Sequence, residues 1–249
     1  MIPTKLESFG IGLYGNSDNL FQLFDSRCFQ NLKCFDVSQF SGSSQLNWEQ
    51  LSDSQFAQQG ISLSLHLLLP EMDAARRLFS HNHFPKLRVL GLHPLGASSA
   101  ALQNWGHLNE IVDLSVSDDE EQGLVDVVSS ELSRLVKLRI LRTSERTQIG
   151  ESIANNKSLT HLVELELPRS RPVTPAALEM LVNSDSAANL RALRMTISSA
   201  DSATVLLSPN KLRNSIHLEI DSELEIETRE IEKRFPNATV VRNDLRVQF

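Results

Sequence analysis

The residues whose spacing most resembles a chemical site stand near the start of the chain. Gly10-x-Gly12-x-x-Gly15, within FGIGLYG, matches the dinucleotide fingerprint. In that motif glycines let the backbone approach a pyrophosphate at a helix N-terminus. Asp36, 21 residues beyond Gly15, stands near where a ribose-binding carboxylate belongs. Two features oppose the match. Leu20 to Phe24 is short for a crossover helix, and LESF before the glycines is not the apolar run of a buried parallel strand. A nucleotide-binding enzyme using Gly10–Gly15 is therefore the alternative reading rather than the leading one.

The other reactive types are scattered. Of seven histidines, only His66 and His93 fall on adjacent predicted strands. Metal ligands must converge, so a structural or solvent-facing role is the default for each histidine, and no metal or other cofactor is expected. Cys28 and Cys34 cannot build a disulfide framework and read as free thiols of a reducing, cytoplasmic compartment. No histidine is placed to activate Cys34 as a nucleophile. Serine is too abundant for any Ser-His-Asp combination to inform, so no catalytic residue is assigned. The run Asp118-Asp119-Glu120-Glu121 suits the N-terminal end of a helix and lacks the spaced oxygens of a calcium loop.

Composition narrows the classes further. The 249 residues carry 24 Lys+Arg against 31 Asp+Glu, a net charge of -7. That disfavours a general nucleic-acid binder, which needs a basic footprint. No apolar run approaches the ~20 residues of a membrane span, and MIPTKLESFGIG shows neither a basic n-region nor an apolar h-region. Leucine dominates the apolar residues and aromatics are only 6%. Such a core suggests many similar small layers.

Those layers are visible as a repeat. FQNLKCFDV (29–37), FPKLRVLGL (84–92) and FPNATVVRN (235–243) share Phe, two residues, an apolar residue, and another three further on. The template L-x-x-L-x-L recurs along the chain. Its copies are Leu6-Phe9-Ile11, Leu32-Phe35-Val37, Ser62-Leu65-Leu67, Leu87-Leu90-Leu92 and Ile111-Leu114-Val116. They continue with Leu138-Leu141-Thr143, Leu162-Leu165-Leu167, Leu190-Leu193-Met195, Ser215-Leu218-Ile220 and Ala238-Val241-Asn243. First positions lie 23 to 30 residues apart. The last two positions of each copy alternate as in a strand with one buried face. Helical spacing fills the gaps, as at 123–135, 175–182 and 223–235, with Thr174 as N-cap and Pro175 in the first turn. Ser38–Ser44 and Ala97–Ala101 fall where turns belong.

A strand plus a helix every ~20–29 residues resembles the leucine-rich repeat family, in an irregular, helix-bearing version. The resemblance spans essentially the whole chain. It implies an α/β right-handed solenoid, a horseshoe with a parallel concave sheet and convex helices, as one domain over 1–249. One departure is plain. The Asn or Cys expected eight residues after the first Leu is replaced, for example by Phe40, Leu95, Ser170 and Ser198. The asparagine ladder is missing, so turn shapes should differ between rungs. Leu245, Val247 and Phe249 alternate as a possible capping strand within 242–249. The glycines fit the first repeat equally well, with Gly10 and Gly12 on the concave side.

Repeat folds of this kind serve mostly as protein-binding scaffolds, which makes a non-enzymatic interaction module the expectation. A regulatory region of a larger multidomain protein is a variant of it. The expected partner is another protein, with no nucleic acid and no membrane. The residue four after each first position points away from the core. In the last five copies these are Arg142, Glu166, Arg194, Glu219 and Arg242, flanked by Glu164, His217 and Asp221. The alternating signs predict a charge ladder on the concave face.

Overall fold

The computed structural model describes residues 6–14, 29–41, 48–66, 72–80, 83–96, 98–118, 121–143, 148–169, 172–222 and 225–242. The chain divides into two compact units, Met1–Asp118 and Asp119–Phe249. Each is a repeat-like α/β fold in which parallel strands follow one another in chain order.

The first unit holds β1 (Ser8–Tyr14), β2 (Cys34–Ser41), β3 (Ser62–His66), β4 (Val89–Leu92) and β5 (Asp113–Ser117). They pair β1-β2-β3-β4-β5, all parallel. Parallel neighbours need a crossover, and from β2 to β5 short helices supply it: α1 (Trp48–Asp53), α2 (Gln55–Gln59), α3 (Met72–Leu78) and α4 (Ser98–Gln103). The stretch expected as a turn at Ala97–Ala101 is thus mostly helix. Ser98–Gln103 contributes the buried Ala101 and Leu102, and core contact overrides the turn-forming composition.

The second unit holds β6 (Lys137–Arg142), β7 (Glu164–Glu166), β8 (Ala192–Ile197), β9 (His217–Ser222) and β10 (Thr239–Arg242). They pair β6-β7-β8-β9-β10, again parallel. α5 (Glu121–Val128) precedes β6, and between the strands run α6 (Gln148–Asn155), α7 (Pro175–Asn183), α8 (Ala200–Leu207) and α9 (Glu225–Arg234), each helix beside the next. Thr174 caps α7 by accepting from Ala177 N–H. The helix expected over 123–135 ends at Val128. Beyond it Leu132 and Leu135 are buried in a turn in which Leu135 N–H donates to Leu132 C=O.

Side chains on alternate strand positions form the core. In the first unit Phe35, Leu63, Leu90 and Leu114 make one column and Val37, Leu65, Leu92 and Val116 the next. In the second, Leu138, Leu165, Leu193 and Leu218 share a column. Each fully buried Leu contributes roughly 1.5–3 kcal/mol. An aromatic chain joins Phe9 to Phe29 and Phe35, and continues through Phe56 to Phe84, with ring centroids 5.1–6.2 Å apart.

Three copies sit in a different register from the sequence template. The third is Gly60-Leu63-Leu65 rather than Ser62-Leu65-Leu67, because Leu63 faces Phe35 and Leu90. Gly60 is buried where most other rungs carry a large apolar side chain, and a Cβ there would meet the Phe56 ring at 2.7 Å. The Phe56 ring fills the room a leucine takes elsewhere. The sixth is Leu135-Leu138-Ile140, all buried, whereas Leu141 is 45% exposed. Leu138 is thus buried as expected, but it stacks with Leu165 rather than with Leu162. In the tenth, Val240 aligns with Ile220 and Val241 points outward. Leu67 and the capping residues Leu245, Val247 and Phe249 lie outside the described residues.

The rungs are stitched at their turns. His161 Nδ1–H donates to Ser133 C=O (2.9 Å), Asn189 Nδ2–H to Thr160 C=O (2.9 Å) and Asn237 Nδ2–H to Ser215 C=O (3.1 Å). Gln59 does the same in the first unit, to Gln30 C=O at 2.5 Å. Each gives a turn carbonyl a side-chain donor from the next rung. A side-chain ladder therefore exists, but it precedes the strands rather than standing eight residues after the first Leu.

Candidate functional site

The open sheet face of the second unit carries the residues singled out above. Alternation decides which side chains reach it: Leu165, Leu193, Met195, Leu218 and Ile220 are buried, while Glu166, Arg194 and Glu219 between them remain partly exposed. Register sets Glu166 opposite Arg194 and Arg194 opposite Glu219. Arg194 lies between the two carboxylates and pairs with both. Its Nη1 donates to Glu166 Oε1 at 3.0 Å, and its Nε and Nη2 both reach Glu219 Oε2, at 2.7 and 2.5 Å. The hydrogen bond to Glu166 raises the guanidinium's affinity for its proton; burial opposes this, and the bond to Glu219 adds to it.

The two ends of the expected ladder are different residues. Arg139, not Arg142, stands opposite Glu166, because the sixth rung is shifted by three. Arg142 is the exposed last residue of β6. Thr239, not Arg242, stands opposite Glu219, and Arg242 aligns with Ser222. The row therefore reads Arg139, Glu166, Arg194, Glu219, Thr239. Of the flanking residues, Glu164 pairs with Lys137 on β6 at 2.5 Å. His217 is exposed opposite Ala192, and Asp221 is buried opposite Thr196.

Arg169, in the turn after β7, completes the constellation. It reaches Glu219 Oε1 at 2.7 Å and Asp221 Oδ2 at 3.8 Å. Thr196 Oγ1 donates to its carbonyl and fixes the turn, 2.8 Å away. Strand periodicity could not find Arg169, which stands outside the repeat template. Only the neighbouring Pro168 and Pro172 mark its turn. Lys137, Arg139, Glu164, Glu166, Ala192, Arg194, His217 and Glu219 line a shallow depression of about 100 Å³. Cations and carboxylates alternate there and pair with one another.

The open face of the first unit is built differently. One row reads Gly10, Asp36, Ser64, Gly91, Ser115 across five strands. Beside it the His66 and His93 rings stack with centroids 4.6 Å apart. Ser64 Oγ is 3.1 Å from His66 Nε2, and Asp36 Oδ2 is 4.0 Å from the same nitrogen. A hydrolytic triad needs serine and carboxylate on opposite ring nitrogens, so these three do not form one. Gly10 and Gly12 lie inside β1, facing Asp36 and Ser38, and not in a strand-to-helix turn; Gly15 and Cys28 lie outside the described residues. Cys34 is half-buried at the start of β2. Among the described residues, no group of three or more His, Cys, Asp or Glu is arranged to hold a metal, and no helix is long and apolar enough to cross a membrane.

No family model matches the chain. No curated protein matches it either. Among solved structures it is similar to the crystal structure of a Bacteroides fragilis protein determined by a structural genomics consortium. The TM-score is 0.63 at 16% identity, over 96% of this chain and 75% of that one. That likeness concerns the fold alone.

Proposed function

We propose that the protein is a non-enzymatic interaction module of leucine-rich-repeat type, a solenoid whose open, concave face binds another protein. The observation that carries this reading is the row Arg139, Glu166, Arg194, Glu219 on the face opposite the buried leucines, with Arg169 and Asp221 at its side. The side chains of Arg194 and Arg169 are 38% and 51% exposed, while those of Glu166, Glu219 and Asp221 are only 5–22% exposed. The cations thus face a partner, and the fixed order of signs selects one of complementary charge. Lys137, Glu164 and His217 extend the same surface by one row.

The test is capture of partners from the source cell by the full chain, followed by the same capture with a charge-inverted face, Glu166→Arg with Arg194→Glu. The expected result is loss of the partners held by the native chain, with the fold retained by circular dichroism. Partners that bind both chains equally would exclude this face.

A further inference from the structure

We propose that the first unit carries a two-imidazole site for a divalent transition metal of the zinc, nickel or copper class, formed by His66 and His93 on its open face. This goes beyond the interaction reading and does not depend on it.

Three observations carry the site. The two rings stack across neighbouring rungs at 4.6 Å and 24°. Two imidazoles on one metal need nitrogens roughly 3.3 Å apart, from ~2.0 Å bonds at a tetrahedral angle, so binding must turn the stacked rings until their in-plane lone pairs meet at the metal. Both Nε2 atoms also border the space around Ser64 Oγ and Gly91 Cα. Ser64 Oγ touches His66 Nε2, and a methyl group at Gly91 would stand 2.8 Å from that oxygen and 3.5 Å from His93 Nε2. Glycine at position 91 keeps this space clear, and Ser64 beside it is the smallest hydroxyl side chain. Finally, the other polar groups are those of an outer shell. Ser117 Oγ lies 3.3 Å from His93 Nδ1, so an Nδ1–H bond to it leaves Nε2 as the basic, ligating nitrogen. Asp36 Oδ2, 4.0 Å from His66 Nε2, is placed to accept from a metal-bound water and to balance the cation's charge.

The protein supplies two nitrogens and solvent the remaining positions. Such a site follows the preference of imidazole for copper, nickel and zinc over magnesium and calcium, which demand oxygen ligands.

The experiment titrates the full chain with nickel, zinc, magnesium or calcium chloride, followed by calorimetry and by the histidine ring proton signals. The expected result is one saturable nickel or zinc site per chain and no magnesium or calcium binding. Nickel should broaden His66 and His93 first and spare His107, His161 and His217. His66→Gln or His93→Gln should weaken binding at least tenfold. Asp36→Asn should weaken it by roughly tenfold, the low end of outer-shell effects. Gly91→Ala should weaken it with both histidines intact, which separates occupied space from lost ligands. Both histidines lie on the open face, so circular dichroism should report folded variants. Absence of saturable nickel binding, or binding that survives the paired His66→Gln and His93→Gln change, would overturn the site.

Discussion

The two units meet the same architectural demand with different side chains. On successive rungs the first places Asp36, Ser64, Gly91 and Ser115 where the second places Arg139, Glu166, Arg194 and Glu219. Small residues leave the first face bare around a pair of imidazoles. Long charged residues fill the second with their own ion pairs. The cores differ as well. All of the eleven phenylalanines except Phe235 and Phe249 belong to the first unit, and the second is packed with Leu, Ile and Val. A parallel sheet backed by helices needs only a buried apolar column, and either composition supplies it. The outward column is under no such demand, so its side chains can differ without changing the fold.

The largest effects should be the same in both units, because they arise in the shared column. Leu87→Ala and Leu162→Ala remove fully buried side chains. Each should cost ~2–5 kcal/mol through lost transfer energy and a cavity. Urea denaturation reads this directly. The sixth rung offers a sharper version. Leu135→Ala and Leu138→Ala should be as costly, whereas Leu141→Ala, on an exposed side chain, should stay within about 0.5 kcal/mol of the native chain. Equal losses at all three would break the register described for β6.

That rung also shows what the sequence could and could not reveal. The apolar triplets at Leu87-Leu90-Leu92, Ile111-Leu114-Val116, Leu162-Leu165-Leu167 and Leu190-Leu193-Met195 were legible, because each offers one way to bury three side chains. LVKLRILR offers two: Leu138 begins one template and is the middle of another. Only its neighbour, Leu165, resolves the choice. The outward row inherited that ambiguity. Glu166 and Arg194 were placed by unambiguous triplets and Glu219 by the weaker Ser215-Leu218-Ile220, while Arg142 and Arg242 were named three residues away from the positions that complete the row. Gly60 was illegible for another reason. The ring that replaces its missing side chain comes from Phe56, in the preceding helix, and no strand template contains it.

Gly60 provides the next test. Gly60→Ala would press a methyl group against the Phe56 ring at 2.7 Å and the Phe56 carbonyl at 2.8 Å. The helix end must shift to admit it. A loss of roughly 1–3 kcal/mol by thermal or urea melting is expected for such overpacking. An unchanged or raised stability would show that Phe56 does not occupy the leucine's place, and that the aromatic core of the first unit is looser than the aliphatic core of the second.

The charged face should respond more weakly and, unlike the core, should respond to salt. Arg194→Glu sets three carboxylates side by side at positions 166, 194 and 219. With Arg194 more than a third exposed, solvent screening holds the expected loss to about 1–2 kcal/mol at low ionic strength. One molar salt, with a Debye length of ~3 Å, should remove most of it. Arg194→Met should cost less than Arg194→Glu, since Glu219 keeps Arg169. A salt-independent loss would mean that Arg194 acts by packing its stem rather than by charge.

The smallest effect separates charge on the sheet face from charge at the turns of the same unit. Lys211 Nζ reaches Asp185 Oδ1 at 2.7 Å, but the Asp185 side chain is almost fully exposed. The hydrogen bond from Lys211 and its positive charge lower the Asp185 carboxyl below the ordinary aspartate value, with burial weakly opposing and Lys157 adding a little. The folded state therefore binds this proton less readily than the unfolded chain. The contribution is fully present above the unfolded aspartate value and is lost as pH falls through the folded one. A carbon-13 titration of the Asp185 carboxyl should give a midpoint below the ordinary value in the native chain. In Lys211→Met it should move back up toward that value, with no measurable change in melting temperature at neutral pH. If the same substitution lowered neutral-pH stability as much as Arg194→Met does, partial burial would not be what distinguishes the ladder, and the sheet face would have no special claim over the turns as the place where charge is organised.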